Sequence, residues 1–295
     1  MMDSFLFQKA SELILRYVYA ECYNKHLLFC INPEAMKVEI WSDVMCPFCY
    51  IGKRQFENAL NNFDHKDKVE VEWKSFQLSP ELKTSPGVNI TSYLAEKKGW
   101  TLDYASQLNA QVTQMAAQAG LTYNFDSAVV ANSFNAHRFS HFAKKYGLGP
   151  EAEEQLFKAY FTDGKNIDDP ETLIELGREI GLDTAETKEI LESSAYADEV
   201  KQDIDEAKYL GIQGVPFFVL NNKYAVSGAQ AVPVFEEALN KAFTEWEQEN
   251  LKAGFEARRI KAKIYKNVLE YTVTHNLYRL ALKHDKTKII TTKMK

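Results

Sequence analysis

Cysteine is scarce in this chain, with four residues in 295. A small secreted scaffold stapled by disulfides carries more of them in a shorter chain, so that class is excluded and a reducing, cytoplasmic setting is expected. No uninterrupted apolar run approaches the ~20 residues of a membrane-spanning helix, so no membrane span is expected. The apolar-rich stretch from Phe5 to Ile31 is broken by Lys9, Glu12, Arg16, Glu21 and Lys25. It also lacks the basic start and small-residue cleavage site of a signal peptide. Positive charge is short in the body: residues 36–250 hold 20 Lys/Arg against 34 Asp/Glu, a net −14. Such a body does not seek nucleic acid or an anionic membrane. Only residues 251–295 are basic, with 12 Lys/Arg against 3 Asp/Glu.

What the chain does have is one cysteine pair at a usable spacing, Cys46-Pro47-Phe48-Cys49. Val38-Glu39-Ile40-Trp41 before it reads as a strand, and Pro47 through Leu60 after it reads as an amphipathic helix. The helix N-terminus sets free N–H groups and a positive dipole end beside the first sulfur, which favours the reactive thiolate. The second cysteine lies one turn on, close enough to close a disulfide. A thiol–disulfide site is the leading reading. A zinc site needs further ligands, and there is no second Cys-x-x-Cys. His137 and His141 have i,i+4 spacing, which leaves a mixed Cys2His2 site as a lesser alternative, and no metal is expected. A purely structural pair of buried thiols is the third reading. Asp43, three residues before Cys46, reads as a turn residue with a subsidiary part in tuning the thiolate.

The 45% hydrophobic and 26% charged composition is that of a soluble globular protein. Residues 1–35 read as an extension, because Met36-Lys37-Val38-Glu39 looks like a start followed at once by a first strand. Cys22 and Cys30 lie in it, read as packing residues on a helix. Residues 68–76 alternate apolar and charged side chains, a second strand, and the β-α-β unit so formed implies parallel strands. Residues 91–210 read as an all-helical insertion, with helices over 91–99, 102–119, 126–146, 151–161, 170–180, 184–191 and 197–210. Asp168-Asp169-Pro170-Glu171 is a strong helix start. Strand character returns at 215–220, Asn221-Asn222 reads as a two-residue hairpin turn, and 223–228 is the partner strand. A last helix spans about Val232 to Glu249. The basic tail, 251–295, has an amphipathic helical pattern through Leu251, Phe255, Ile260, Ile264, Val268, Tyr271 and Leu277.

Three stretches carry a resemblance: Ser42 to Gly52 around the cysteines, Asn132-Ser133-Phe134-Asn135-Ala136-His137-Arg138, and Gly211 to Val219 with Gly214-Val215-Pro216 at its centre. Together with Tyr224 to Gln230 they resemble the DsbA family, and most nearly its FrnE-like branch of predicted dithiol–disulfide isomerases. The resemblance covers 36–250. It implies an α/β thioredoxin fold, β-α-β and β-β-α, over 36–90 and 211–250, with the helical insertion at 91–210 and helical extensions at 1–35 and 251–295. It implies Cys46 as nucleophile, Cys49 as resolving thiol and Pro216 as a cis-proline against them. Gly214 lets the chain turn there, and Val215, Pro47 and Phe48 meet the substrate. His137 and Arg138 either hold an anionic group such as a substrate carboxylate or form a bonded pair at the insertion's edge. The implied partners are protein or peptide thiols and disulfides, and glutathione, with no resident cofactor. A glutathione-dependent isomerase or transferase, similar to 2-hydroxychromene-2-carboxylate isomerase and the kappa-class transferases, is the alternative. Those relatives typically carry serine where Cys46 stands. A partner-binding stress adaptor is the third possibility.

Overall fold

The strand predicted ahead of the cysteines forms β1, Met36–Ser42, and its residues Met36, Val38, Ile40 and Trp41 are wholly inaccessible. Near-continuous burial of that kind belongs to a central strand covered on both faces. The computed structural model describes residues 35–292. The expectations for residues 1–34, Cys22 and Cys30 among them, lie outside the described residues, as do the side chains of Ile264, Val268, Tyr271 and Leu277. The described chain divides into a unit spanning Ala35–Thr244 and a second to which residues 245–292 belong.

In the first unit, Cys46 leads into helix α1, Pro47–Asn61, and then strand β2, Val69–Ser75. β2 runs parallel to β1 in the register Met36↔Val69 to Ser42↔Ser75, as the crossover helix requires. After the helical region come β5, Phe217–Leu220, and β6, Tyr224–Ser227. β5 pairs antiparallel to β1 and to β6, so the sheet order is β2-β1-β5-β6. Asn221 and Asn222 both take positive φ, 52° and 54°, as a tight hairpin demands. The first ladder pair is Leu220↔Tyr224, so Lys223 belongs to the connection and not to the strand. The last helix, α9, begins at Val232. Its Phe235 meets Phe56 of α1 and Phe218 of β5 at centroid distances of 5.7 and 4.7 Å.

Between the two halves lie α2 (Ile90–Lys98), α3 (Leu102–Gln118), α4 (Phe134–Lys145), α5 (Gly149–Phe161), α6 (Pro170–Glu179), α7 (Thr184–Glu192) and α8 (Ala197–Tyr209). The Asp169 carboxylate caps α6, accepting from Thr172 N at 3.0 Å. α2 stops at Gly99, whose φ of 68° is the left-handed turn that ends a helix. The block is not all-helical, however. β3, Ser85–Asn89, pairs antiparallel with β4, Val129–Val130. The helix expected from Asp126 therefore starts only at Phe134. Two β-branched residues at 129–130 pair with β3, and the Asn132 side chain accepts from Phe134 N at 2.8 Å to turn the chain into α4. On the sheet's other face α8 lies beneath Trp41, whose indole N–H donates to Asp203 O at 3.0 Å.

α9 does not end near Glu249. It is one helix over Val232–Thr292, so the expected last helix and the helical tail are continuous. From 250 to 292 there is no proline and Gly254 is the lone glycine, so nothing in the sequence breaks it.

Candidate active site

The turn into α1 is built by Asp43, a fully buried carboxylate. Its backbone carbonyl accepts from Cys46 N at 2.9 Å, its Oδ1 from Met45 N at 3.2 Å and its Oδ2 from Leu78 N at 2.7 Å. Cys46 is thereby fixed as the N-cap of α1, with φ −86° and ψ 113°, and Pro47 occupies the first turn, where a missing N–H costs nothing. No side chain caps this helix end. Cys49 N donates to Cys46 O at 3.0 Å, which sets the second cysteine one turn in.

The other wall of the site comes from a loop 169 residues further along the chain. The Val215–Pro216 peptide is cis, and Val215 O accepts a hydrogen bond from Cys46 Sγ at 3.4 Å. Pro216 O in turn accepts from Gly228 N at 2.8 Å, tying this loop to the end of β6. Gly52 lets α1 come this close: a Cβ there lies 2.9 Å from Pro216 Cγ and 3.4 Å from Phe218 Cζ. A glycine is required by the approach of the proline ring, not by backbone angles.

Both cysteines are free thiols, and they differ in environment. Cys46 is 4% exposed and Cys49 is wholly buried. Burial pushes the Cys49 thiol well above its ordinary value, and its contact with Cys46 adds to the rise, while the Ser42 hydroxyl and the Asp43 backbone amide oppose it. Tyr123 is likewise raised, by burial and then by the neighbouring Cys46. Its hydroxyl donates to Pro47 O at 2.7 Å and so holds the first turn of α1 in place. Pro47 is half-buried, while Phe48 is 39% exposed and offers an open aromatic face between the two cysteines.

His137 and Arg138 part company. His137 is buried and its Nε2 stands 3.6 Å from Asp43 Oδ1, with no hydrogen-bond partner among the described residues. Arg138 turns the other way. Its guanidinium donates to Ala195 O at 2.8 Å, Ser193 O at 2.6 Å, Ile190 O and Asn135 Oδ1, clamping the end of α7. Those contacts occupy its guanidinium as a structural tie, the second of the two readings of this residue. His141 pairs with Asp203 at 2.9 Å and does not turn toward the cysteines. Among the described residues no three His, Cys, Asp or Glu side chains converge to hold a metal ion.

Sequence reasoning passed over two contributors, while Asp43, read as a turn residue, is the framework of the turn. Gly52 sits within the motif without an assigned role. A clamp between α1 and α5 went unseen: Tyr50 Oη donates to Glu154 Oε1 at 2.7 Å, Arg54 donates to the same oxygen at 2.7 Å, and buried Lys53 bonds Glu154 and Glu57. Tyr50 also stacks on Phe157 at 5.0 Å. Pairs a hundred residues apart leave no periodic trace.

A profile of the DSBA-like thioredoxin domain family matches residues 37–240, which takes in both walls of this site. The uncharacterized protein YwbO of Bacillus subtilis is 32% identical over 206 residues, 69% of this chain and 95% of YwbO. The solved structure of the probable DsbA oxidoreductase SCO1869 of Streptomyces coelicolor is 40% identical, with a TM-score of 0.68 over 71% of this chain and 91% of that one. The cytosolic disulfide reductase DsbM of Pseudomonas aeruginosa, solved with GSH, shares the fold at 16% identity and a TM-score of 0.52, over 70% of this chain and 99% of its own. With the family profile spanning both halves of the sheet and the region between them, the chain belongs to the DSBA-like thioredoxin domain family.

Proposed function

We propose that the protein is a dithiol–disulfide oxidoreductase or isomerase of the FrnE-like branch, working in the cytoplasm through Cys46 and Cys49. The observation that carries this reading is the pairing of a helix-capping, marginally accessible Cys46 with a wholly buried Cys49, the first held against Val215 O at 3.4 Å. In the oxidised form a substrate thiolate attacks Cys46 Sγ, the Cys46–Cys49 bond breaks and Cys49 leaves as a thiolate. A second substrate thiol then attacks the mixed disulfide and releases the oxidised substrate. The reverse sequence reduces or reshuffles a substrate disulfide, and its direction is set by reduction potential against the surrounding thiol pool.

In this reading the backbone at Val215, beside Cys46, pairs with a bound peptide in strand-like fashion, while Pro47 and exposed Phe48 meet its side chains. The substrates in this reading are protein or peptide thiols and disulfides, with glutathione as a small-molecule partner. Retention of the second cysteine favours exchange chemistry over a glutathione-dependent isomerase or transferase, which needs no redox pair. The domain reading is a thioredoxin-like part, 36–90 and 211–250, that carries both cysteines, and an intervening part, 91–210, that braces them.

Insulin reduction by a thiol donor tests the reading. Cys46→Ser abolishes the activity, and Cys49→Ser accumulates mixed disulfides at Cys46. Full activity in the doubly substituted protein contradicts it.

A further inference from the structure

A cleft of about 610 Å³ opens beside the cysteine turn. Residues of the 77–84 segment form one side, the start of α4 the second, and Asp168, just ahead of α6, the third. Pro80, Leu82 and Phe134 give it apolar walls. Its polar groups mostly engage one another. Asn132 Nδ2 donates to Pro80 O at 3.1 Å and Leu82 O at 2.8 Å, and its Oδ1 accepts from Gln77 Nε2 at 3.1 Å. Asn135 Nδ2 donates to Asp168 Oδ1 at 2.8 Å and Asp168 O at 3.4 Å, and the Thr84 hydroxyl donates to Asp168 Oδ2. Asp168 is half-buried, and no lysine, arginine or histidine pairs with it among the described residues. The Arg138 guanidinium reaches it only through the Asn135 amide, donating to Asn135 Oδ1 at 3.0 Å. What the fixed wall leaves open is acceptor capacity, the remaining lone pairs of Asp168 and Gln77 Oε1, against a single Gln77 N–H.

We propose that this cleft is a specificity site that takes the basic side chain, lysine or arginine, of a peptide substrate, with Asp168 as its counter-charge. The proposal rests on the exchange reading above and names the class of peptide which that reading leaves open. A half-buried carboxylate held only by neutral donors has no counter-ion, and a charge-assisted hydrogen bond to it is about twice as strong as a neutral one. An ammonium or guanidinium supplies donors and no acceptor, the complement of the open wall. Its aliphatic stem lies along Pro80, Leu82 and Phe134 while the charged head reaches Asp168, the usual division of a long basic side chain. The volume is that of sites which hold small ligands. An anion fits less well. Lys83 lines the rim, but it is exposed and its ammonium is fixed by no partner among the described residues, whereas Asp168 is held in place. Lys83 therefore opposes a basic guest without closing the site to it. A peptide joined to Cys46 reaches the cleft over Leu78, which is 48% exposed. The Leu78 N–H donates to Asp43 Oδ2 at 2.7 Å, and its neighbour Gln77 lines the cleft.

The test uses the reduced full-length chain with Cys22 and Cys30 changed to serine, and single-cysteine peptides activated as aryl disulfides. The Cys46 thiolate attacks the peptide sulfur: the Cys46–peptide S–S bond forms, the peptide–aryl S–S bond breaks and the aryl group leaves as a coloured thiolate. Lysine, glutamine or glutamate is placed in turn at each position flanking the peptide cysteine. At the position that reaches the cleft, the lysine peptide is expected to react about fivefold faster than the glutamine peptide, the effect of one partly exposed ion pair. The advantage shrinks as salt is added. Asp168→Asn removes it and leaves the rate toward an aryl disulfide without a peptide unchanged, which reports an intact fold. Lys83→Glu enlarges it, and decides the matter if the asparagine variant misfolds. Equal rates for lysine and glutamine at every position, or a glutamate peptide that outpaces both, overturn the assignment. So does an advantage that survives Asp168→Asn, and so comes from the acidic body at large, or one that Lys83→Glu fails to enlarge. A Cys46 that reacts with none of the aryl disulfides overturns the exchange reading itself, and the cleft assignment with it.

Discussion

At the scale of single residues, the site depends on close approach more than on charge. Gly52 faces the Pro216 ring with room for a hydrogen and nothing more. Gly52→Ala puts a methyl 2.9 Å from Pro216 Cγ, a ring atom with no rotamer to escape into. The expected result is a loss of about 1–3 kcal/mol in denaturant unfolding, as for other overpacked contacts, together with slower exchange as α1 is pushed from the Val215 loop. An alanine variant as stable and as active as the parent contradicts this packing. The placement of Cys46 at the start of α1 and of Cys49 one turn on was legible because the Cys-x-x-Cys spacing sets it. Gly52 was not, because its partner lies 164 residues away in sequence. Arg138 was left between two readings for a related reason: a basic residue beside a motif resembles an anion ligand until the carbonyls of Ile190, Ser193 and Ala195 come into contact with it.

At the scale of elements, the edge strand β2 is fixed to α8 and α4 by a buried polar cluster. Asp203 of α8 accepts from Ser75 N at 2.8 Å and pairs with His141 of α4 at 2.9 Å, and Lys74 stands 3.4 Å away. Burial alone raises the Asp203 carboxyl, but His141, the Ser75 amide and Lys144 outweigh it and hold it below its ordinary value. A carboxyl depressed in the fold stabilises the native state above its unfolded value of about 3.8 and loses that contribution as pH falls through the lower folded value. Stability to urea should therefore drop on acidification below about pH 4. Asp203→Asn should be weaker by about 1–3 kcal/mol at neutral pH and respond less to acid. A variant with the parent's acid response contradicts the assignment. Most elements were legible because their caps and breakers are local: Asp169-Pro170 opens α6 and Gly99 ends α2. The β3–β4 pair was not, because β4 is two residues long and reads as the start of a helix. The end of the last helix was placed too early, at a change of charge that does not interrupt the backbone.

At the scale of the molecule, strand order does the assembling. β1 lies between β2 and β5, so the cysteines at its end meet the Val215–Pro216 loop at the start of β5. The four-stranded sheet was legible from the two strand groups flanking a helical block; the order of its strands came from the structure. The sheet's own geometry, a parallel pair extended by an antiparallel hairpin, then leaves the C-terminal end of β1 beside the N-terminal end of β5. The family profile over 37–240 agrees with this reading of the chain. The acidic balance of residues 36–250 and the basic balance of 251–295 mark a division in charge that the site does not use. The central claim concerns electrons: Cys46 and Cys49 form one reversible two-electron couple. A titration of the purified chain, with Cys22 and Cys30 changed to serine, against graded ratios of reduced to oxidised glutathione measures it directly. The account predicts a single reversible transition between dithiol and Cys46–Cys49 disulfide, lost in Cys46→Ser. A pair that stays reduced at every glutathione ratio, or that oxidises only irreversibly, would contradict it.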